Sequence, residues 1–318
     1  MARKRRIGKK LAKSLLPIVL VLVLAVIGAL ALLVYSLTRP PRRAYLVTPQ
    51  AFSQISGPVL RVTDETWPNR DGTVARGWLL RGVTGAPAVM LLHRYGADRS
   101  WLFNLGVKLN ETTHVTVLWP DLRGHGLDPI VGWSSLGSYE GEDVGAALDF
   151  LRSLKAESSE QLTADRVGIY GVELGAYAGM RAAVADPSVR ALVLDSVPAS
   201  PDDLLHTILA NDVGVDYNLL RKITRNATRL YFLGRYENTP SCSLASSLNN
   251  RAVLLLSGAD AGHLRDSTIA LRECFQSASS LDVDTDLPLT GFNLPSAPGE
   301  QGERYDRRVI DFFDRNLR

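Results

Sequence analysis

The sequence predicts an α/β fold: a mostly parallel eight-stranded sheet with helices on both faces and a short helical insertion, preceded by one N-terminal transmembrane helix. Three observations support this prediction. Strand-like and helix-like segments alternate along most of the chain, which is typical of βαβ units in a parallel sheet. The 318 residues are 46% hydrophobic and 22% charged, enough for one sizeable core. An uncharged run near the N-terminus is long enough to cross a bilayer.

The uncharged run covers residues 15–37 and predicts a membrane-spanning helix. At about 1.5 Å per residue it rises roughly 35 Å, more than a hydrocarbon core of about 30 Å. Seven Lys or Arg residues precede the run, and only Arg39, Arg42 and Arg43 follow it closely. By the positive-inside rule we expect residues 1–14 to be a basic cytoplasmic tail and the globular domain to lie outside the cytoplasm.

A cleaved signal peptide is the competing interpretation of the same segment. Ala29, Leu30 and Ala31 form the small-x-small pattern of a cleavage site, but cleavage there would fall in the middle of the apolar run. The sequence therefore favours an uncleaved anchor that contacts the lipid bilayer through residues 15–37. Two consecutive prolines then end the helix, and residues 38–58 are predicted to be a juxtamembrane linker.

The remaining residues, 59–318, are predicted to form the globular domain. Strands are expected near residues 59–63, 74–80, 88–92, 115–119, 167–170, 191–194, 253–256 and 281–286. Helices are expected near residues 99–110, 139–154, 174–184, 267–275 and 304–316. Asp71 and Gly72 fit the turn of an opening hairpin. Residues 201–247 match no strand and are predicted to be a helical insertion over the sheet edge.

Charge and cysteine content narrow the classes of partner and cofactor. The first 43 residues hold ten Lys or Arg residues and no acid, which leaves 26 basic against 33 acidic residues in the remainder. The sequence therefore gives no indication of nucleic-acid binding. Cys242 and Cys274 would pair in an oxidising compartment if their Cα atoms came within about 7 Å, but two separate buried thiols fit equally well. Their spacing is unlike a metal site, and we expect neither a metal nor another cofactor.

Five segments resemble, in order, the motifs of one family. They are residues 91–100 (LLHRYGADRS), 121–126 (DLRGHG), 171–175 (GVELG), 254–260 (LLLSGAD) and 305–313 (YDRRVIDFF). These are similar to the HGxG loop, the DxRGHG loop, the GxSxG nucleophile elbow, the acid-bearing strand and the final helix of the α/β-hydrolase superfamily. The resemblance covers about 260 residues and is nearest to the esterase, lipase and serine-aminopeptidase-like branch. It implies that the sheet is an α/β-hydrolase sheet.

The resemblance places Glu173 where the family has its nucleophilic serine. In the family this residue sits on a sharp turn over backbone N–H groups, and flanking glycines allow the close packing. Gly171 and Gly175 are both present, so the elbow is expected to form. The family pattern assigns the oxyanion donors to the amides of Leu174 and Tyr95. We expect the Glu173 carboxylate to fill this site itself, with a lowered pKa.

The loop that resembles HGxG contributes the other expected pocket residues, His93, Arg94 and Tyr95. Arg94 replaces the first glycine of that motif, and its guanidinium is predicted to form an ion pair with Glu173. His93 and His125 are interpreted as residues that hold their loops.

The histidine base of the family is missing. It usually precedes the tyrosine of the final helix by some ten residues, but residues 291–302 read GFNLPSAPGEQG and no histidine follows His263. His263 is either a relocated base or a surface histidine. Asp260 matches the acid position, with Asp195 as a substitute. Without a histidine to orient, either acid is expected to be a structural carboxylate at a strand end.

Three functional hypotheses follow. The first is a catalytically inert hydrolase-fold protein that binds an unknown small molecule or protein at the former catalytic pocket. The second is an active hydrolase of an ester, amide or related bond, which uses unrecognised groups or Glu173, as the dehalogenase and epoxide-hydrolase branches use Asp. The third is an assembly protein that uses its exterior and its membrane helix, with the fold as a scaffold.

Overall fold

Eight strands form one mixed sheet, in the order β1-β2-β4-β3-β5-β6-β7-β8, in the computed structural model of the chain. The structure describes residues 2–56, 61–156, 160–214, 217–276, 280–293 and 299–318. The strands are β1 (Val62–Pro68), β2 (Val74–Leu80), β3 (Ala86–Leu92), β4 (Thr116–Pro120), β5 (Thr163–Val172), β6 (Val189–Asp195), β7 (Ala252–Gly258) and β8 (Ser280–Leu287). β2 pairs antiparallel with β1 and with β4, and every other pairing is parallel. The predicted mostly parallel eight-stranded sheet is confirmed.

The first strand is where prediction and structure differ most. It was expected at residues 59–63, whereas β1 continues to Pro68 because it pairs with β2 up to the hairpin turn, Pro68 opposite Val74. At that turn Gly72 has a φ of 83° and donates its N–H to the Asn69 carbonyl, 3.0 Å away. Residues 57–60 lie outside the described part of the chain. The other seven predicted strands overlap strands of the structure.

Ten α-helices occur among the described residues. They are α1 (Ala2–Leu37), α2 (Pro49–Ser56), α3 (Phe103–Thr113), α4 (Ser138–Ser153), α5 (Leu174–Ala185), α6 (Pro201–Val213), α7 (Asn218–Tyr231), α8 (Ser241–Ala245), α9 (His263–Leu271) and α10 (Gly299–Leu317). Every predicted helix of the domain overlaps one of them. Short 3-10 turns, Arg99–Leu102 and Arg272–Cys274, extend α3 and α9.

The two faces of the sheet carry separate apolar cores. Met90 and Leu92 of β3 face the core that includes buried side chains of α4 and α5. Val89 and Leu91, which point the other way because strand side chains alternate, face the core that includes α3 and α10. Helices therefore cover both faces, as the continuous apolar strands require.

Helix α1 contains one segment long and apolar enough to span a membrane, Leu15–Leu37, with a mean hydropathy of 3.1. Most of its large apolar side chains, such as Leu16 and Leu24, are exposed. Its last turns are different, because Val34 and Leu37 are buried against the domain. The domain therefore begins to pack against α1 before the apolar segment ends.

Residues 38–56, the described part of the segment predicted as a linker, pack against the domain. The Ser134 N–H donates to the Thr38 carbonyl at 2.7 Å. The Tyr45 hydroxyl donates to the Asp121 carboxylate at 2.9 Å. The segment also contains α2, which the sequence analysis did not predict. The connection between α1 and the sheet is thus bound to the domain by hydrogen bonds at several points.

The insertion between β6 and β7 holds α6, α7 and α8, as predicted for residues 201–247. Both α6 and α7 pack against α1. Cys242 of α8 forms a disulfide with Cys274, which follows α9, and their Cα atoms are 5.2 Å apart. The sequence left this pairing open, and the structure gives the paired form.

Candidate functional site

The predicted elbow forms between β5 and α5. Glu173 sits at the tip with φ 51° and ψ −106°, a positive-φ conformation that side-chain-bearing residues rarely adopt. Both flanking glycines are required by packing. A Cβ on Gly171 would lie 2.5 Å from the Ala176 nitrogen, and one on Gly175 would lie 2.3 Å from the Leu92 carbonyl oxygen. The sharp turn of a nucleophile elbow is therefore present, with a glutamate at its tip.

The Glu173 carboxyl group occupies the two backbone donors that the family pattern assigns to the oxyanion. The Tyr95 N–H donates to its Oε2 at 2.8 Å. The Leu174 N–H also bonds to this carboxyl group. Glu173 is only 3% exposed, so these amides are closed off from solvent by the protein's own side chain. The structure thus brings the Glu173 carboxyl group to the two amides that the resemblance assigns to the oxyanion.

The predicted direction of the pKa shift of Glu173 is wrong. We expected a lowered pKa, but burial raises the pKa of Glu173 to about 7. The positive charge of Arg94 and the N–H groups of Tyr95 and Leu174 lower this pKa, but by less than desolvation raises it. The desolvation of the carboxylate destabilises its charged form by more than the two amides and the nearby guanidinium stabilise it.

Arg94 makes direct contacts other than the predicted ion pair. Its Nη1 donates to the Tyr95 carbonyl at 3.0 Å. Its guanidinium carbon lies 4.8 Å from the Trp101 ring centre and 5.1 Å from the Phe292 ring centre. Arg94 therefore acts on Glu173 as a nearby charge while its own position is fixed by aromatic rings and a carbonyl.

His93 is a structural residue beside the pocket, as the sequence indicated. Its Nδ1 donates to the Arg94 carbonyl at 2.8 Å, and its Nε2 accepts from the Leu122 N–H at 3.0 Å. Because both nitrogens are engaged in these roles, the ring is neutral with its proton on Nδ1. Burial lowers the pKa of His93 to about 4. His125 is buried as well, and its Nδ1 donates to the Arg123 carbonyl at 2.9 Å.

A cavity of about 120 Å³ lies next to the elbow. Its lining residues are Pro41, Arg43, Arg94, Tyr95, Gly96, Glu173, Thr207, Ile208 and Phe292. Two of these, Pro41 and Arg43, belong to the segment that leaves α1. The Tyr95 hydroxyl also donates to the Leu37 carbonyl at 2.8 Å. The chain that emerges from the apolar helix therefore forms one wall of the pocket.

Asp260, the predicted acid, holds the loop that would carry the family's histidine. Its Oδ2 accepts from the Thr290 N–H at 3.1 Å, from the Thr290 hydroxyl at 2.8 Å and from the Asn293 side-chain amide at 3.0 Å. The Oδ2 atom is thus held by backbone and side-chain donors of one loop, whereas the buried Oδ1 atom has no hydrogen-bond partner among the described residues. The expectation of a structural carboxylate fits this geometry.

Asp195, the substitute acid, belongs to a buried network that the sequence analysis missed. It accepts from the Gly291 N–H at 2.7 Å and from the Tyr305 hydroxyl, and the Tyr305 oxygen lies 2.8 Å from that of Tyr170. Burial raises the pKa of Asp195 to about 6. A Cβ on Gly291 would lie 2.6 Å from the Tyr170 hydroxyl. Tyr305 was recognisable as part of the final-helix motif, but its partners become evident only once strand order is known.

His263 lies behind the pocket wall instead of inside the pocket. Its Nε2 is 2.8 Å from the hydroxyl of Thr207, which lines the cavity. That hydroxyl donates its own hydrogen to the Asp203 carbonyl at 2.9 Å, so Nε2 is the donor in the contact with Thr207. His263 is half-exposed and donates a hydrogen bond to a residue of the pocket wall. A histidine that acted as a base at the elbow would instead face Glu173.

No cluster of three or more His, Cys, Asp or Glu side chains suited to a metal ion occurs within the described ranges. The predicted pocket residues His93, Arg94, Tyr95, Glu173 and Leu174 come together around the elbow. Asp260 instead has its contacts with the loop at Thr290 and Asn293, on the carboxyl side of β7.

Comparison with known proteins supports the architecture. No protein-family model and no curated protein matches the chain. Among solved structures, the Pyrococcus furiosus esterase Pf2001 is similar, with a TM-score of 0.66 and 19% identity over 88% of this chain and 98% of that one. A dienelactone hydrolase from Anabaena variabilis has a TM-score of 0.54 and 14% identity over 81% of this chain and 99% of that one. Porphyromonas gingivalis dipeptidyl peptidase 4 has a TM-score of 0.60 and 16% identity over 85% of this chain and 37% of that one.

Proposed function

We propose that this chain, which has the α/β-hydrolase fold, is a membrane-anchored protein that no longer catalyses hydrolysis at its elbow and binds a ligand or partner at the former catalytic pocket. One observation carries the proposal. The Glu173 carboxyl group bonds to the two backbone amides, of Tyr95 and Leu174, that would otherwise stabilise the oxyanion of the reaction. A substrate carbonyl would have to displace it to reach them.

The rest of the catalytic apparatus points the same way. A serine-type attack needs a base that takes the nucleophile's proton, oriented by an acid. Here Asp260 is bonded to Thr290 and Asn293, and Asp195 is bonded to Gly291 and Tyr305. Both acids therefore stabilise the loop in which the base would stand. No histidine follows His263 in the sequence.

Membrane anchoring is supported by the surface of α1. An exposed apolar helix of this length is unfavourable in water and stable in a bilayer. The excess of positive charge before residues 15–37 favours a cytoplasmic N-terminus and an extracytoplasmic domain. The Cys242–Cys274 disulfide suits an oxidising compartment, which agrees with this orientation.

A second candidate function is hydrolysis with Glu173 as the reactive carboxyl group. Its pKa of about 7 favours this alternative, because a group poised near neutral pH can both give and take a proton. The structural neighbours include an esterase and a dipeptidyl peptidase. A covalent ester on Glu173 would still need an activated water, and the described residues that line the pocket include no histidine and no second carboxylate.

Ester turnover by the purified full-length protein separates the two candidates. Wild type and Glu173→Gln are compared on p-nitrophenyl esters of two and eight carbons, with Glu142→Gln, an exposed glutamate of α4, as the matched control. The proposal expects no rate above the buffer blank in any of the three. Turnover that Glu142→Gln retains and Glu173→Gln loses would overturn it in favour of a reactive glutamate.

A further inference from the structure

Helix α7 and the turn after it present an unpartnered apolar surface. Leu219, Ile223 and Leu230 are exposed, the first and last by 70% and 75%, and Leu233 just beyond the helix is 86% exposed. Spacings of four and seven residues place the three α7 side chains on one face. We call these four residues the apolar stripe. An exposed apolar surface of this kind is more often an interaction site than a surface that stays in contact with water.

The other two faces of α7 are a buried face and a basic face. Thr224 and Thr228 are fully buried, and α7 packs against α1 and α6. The short threonine side chains let the helix lie close to its neighbours. Lys222 and Arg229 are exposed on the third side, and Arg229 has a distant contact, 3.9 Å, with the Asp202 carboxylate. The helix thus has a buried face, a basic face and an exposed apolar face.

The contact between α7 and α1 fixes where the apolar stripe lies along the membrane helix. Residues 15–33 rise roughly 28 Å at about 1.5 Å per residue, close to a hydrocarbon thickness of about 30 Å. Beyond them Val34 and Leu37 are buried in the domain. The domain surface that holds α7 therefore stands where α1 leaves the hydrocarbon.

A second exposed apolar site flanks the same exit. Arg39, just past the end of α1, donates from Nη1 to the Gly132 carbonyl at 3.0 Å. The loop that Gly132 belongs to exposes Leu127 and Ile130. Exposed apolar side chains therefore occur both on α7, which packs against α1, and in a loop bonded to the residue that follows α1.

We propose that the apolar stripe is a second membrane contact, which inserts into the headgroup and upper acyl region of the bilayer and holds the domain flat on its surface. An exposed apolar face with a basic face beside it is a form that interfacial helices take. The basic side chains meet lipid phosphates while the stripe leaves water. This inference rests on the proposed anchor, since it is α1 that brings α7 to the bilayer.

Spin-label accessibility in liposomes tests the contact. Full-length protein carries one added cysteine, Leu230→Cys, with the native disulfide intact, in vesicles of phosphatidylcholine and phosphatidylglycerol. A label at position 230 is expected to be reached by oxygen and shielded from a water-soluble nickel complex, at a depth of roughly 5–10 Å. The matched control is Val83→Cys, which is 60% exposed beside Gly82 at the opposite end of the strands from the elbow. Its label should stay fully accessible to nickel.

A third label separates failure of the inference from failure of the anchor. Leu24→Cys lies in the middle of the apolar segment of α1. A deep signal at position 24 with a nickel-accessible signal at position 230 overturns the second contact and leaves the anchor standing. A nickel-accessible signal at position 24 overturns both. Dipolar broadening between labels at position 230 would show a second copy of the chain on the stripe, which also overturns the proposal.

Discussion

The Tyr95 hydroxyl donates a hydrogen bond to the Leu37 carbonyl oxygen, 2.8 Å away, at the last turn of the apolar helix. The backbone N–H of the same tyrosine donates to the Glu173 carboxyl group. One residue thus joins the end of α1 to the carboxyl group that fills the elbow. Under the proposed function, Tyr95 has a structural role in place of binding a reaction intermediate.

Removing the hydroxyl tests how much this joint stabilises the protein. Tyr95→Phe leaves the buried Leu37 carbonyl without this donor, so the free energy of unfolding should fall by about 1–3 kcal/mol. Thermal denaturation of the detergent-solubilised full-length protein measures the change. Tyr139→Phe is the control, because its hydroxyl makes an exposed contact with Arg235. An equal effect of the two substitutions would contradict the prediction.

The pKa of Glu173 predicts how its neutral analogue responds to pH. The folded-state pKa of about 7 lies above the ordinary value of 4.5, so folding favours the protonated form. The wild type should therefore lose stability as pH rises from about 4.5 to about 7, by on the order of 3 kcal/mol. Glu173→Gln lacks this loss. Its melting temperature relative to wild type should rise between pH 5 and pH 8.

The Glu142→Gln variant, altered at an exposed site, should show no such trend. A Glu173→Gln difference that becomes more negative with pH would mean that the carboxylate is stabilised in the folded state. The sequence led to that expectation, which is opposite in sign to the trend predicted from the raised pKa.

Restoring the family's nucleophile alone should not restore activity. Glu173→Ser removes the carboxyl group from the two amides and supplies a hydroxyl. No histidine follows His263 in the sequence, and the Nε2 atom of His263 donates to the Thr207 hydroxyl, so we expect no base to deprotonate the new hydroxyl. We expect no burst of ester cleavage and no labelling by a fluorophosphonate, measured by mass spectrometry of the intact protein. Stoichiometric labelling of Ser at position 173 would show that an unrecognised group acts as the base.

Protease protection tests the orientation of the chain. The domain should be digested when protease is added outside sealed cells or spheroplasts, because the proposed orientation places the basic tail, residues 1–14, in the cytoplasm. A cytoplasmic marker protein in the same sample shows whether the cells stayed sealed. Survival of the domain while a known external protein is degraded would reverse the assignment.

Sequence alone predicted much of the fold, because strand and helix patterns depend on local spacing. The elbow was predictable as well, since Gly171 and Gly175 are needed wherever backbones approach so closely. The position of the Glu173 carboxyl group followed from the family's geometry. Its pKa did not, because the cost of burial depends on everything that excludes water from the site.

Other parts of the site depend on contacts between distant segments. Tyr170, Asp195 and Tyr305 meet only because β5, β6 and α10 are neighbours in the folded chain. The packing of residues 38–56 was equally hard to predict, because prolines and arginines after an apolar run indicate a linker. The hydrogen bonds between this segment and the domain involve backbone groups and single side chains, which no sequence pattern indicates.

The bonds along residues 38–45 also restrict how the domain explores its surroundings. A flexible tether the length of residues 38–58 would reach roughly 25 Å and let the domain rotate freely. With Thr38 and Tyr45 fastened to the domain, that rotational freedom is largely absent. Under the proposed anchoring, the pocket diffuses in two dimensions at a constant height. A ligand carried in the same leaflet then meets the pocket at an effective concentration that is set by the ligand's surface density. The effective concentration of a ligand dissolved in water is not raised in this way.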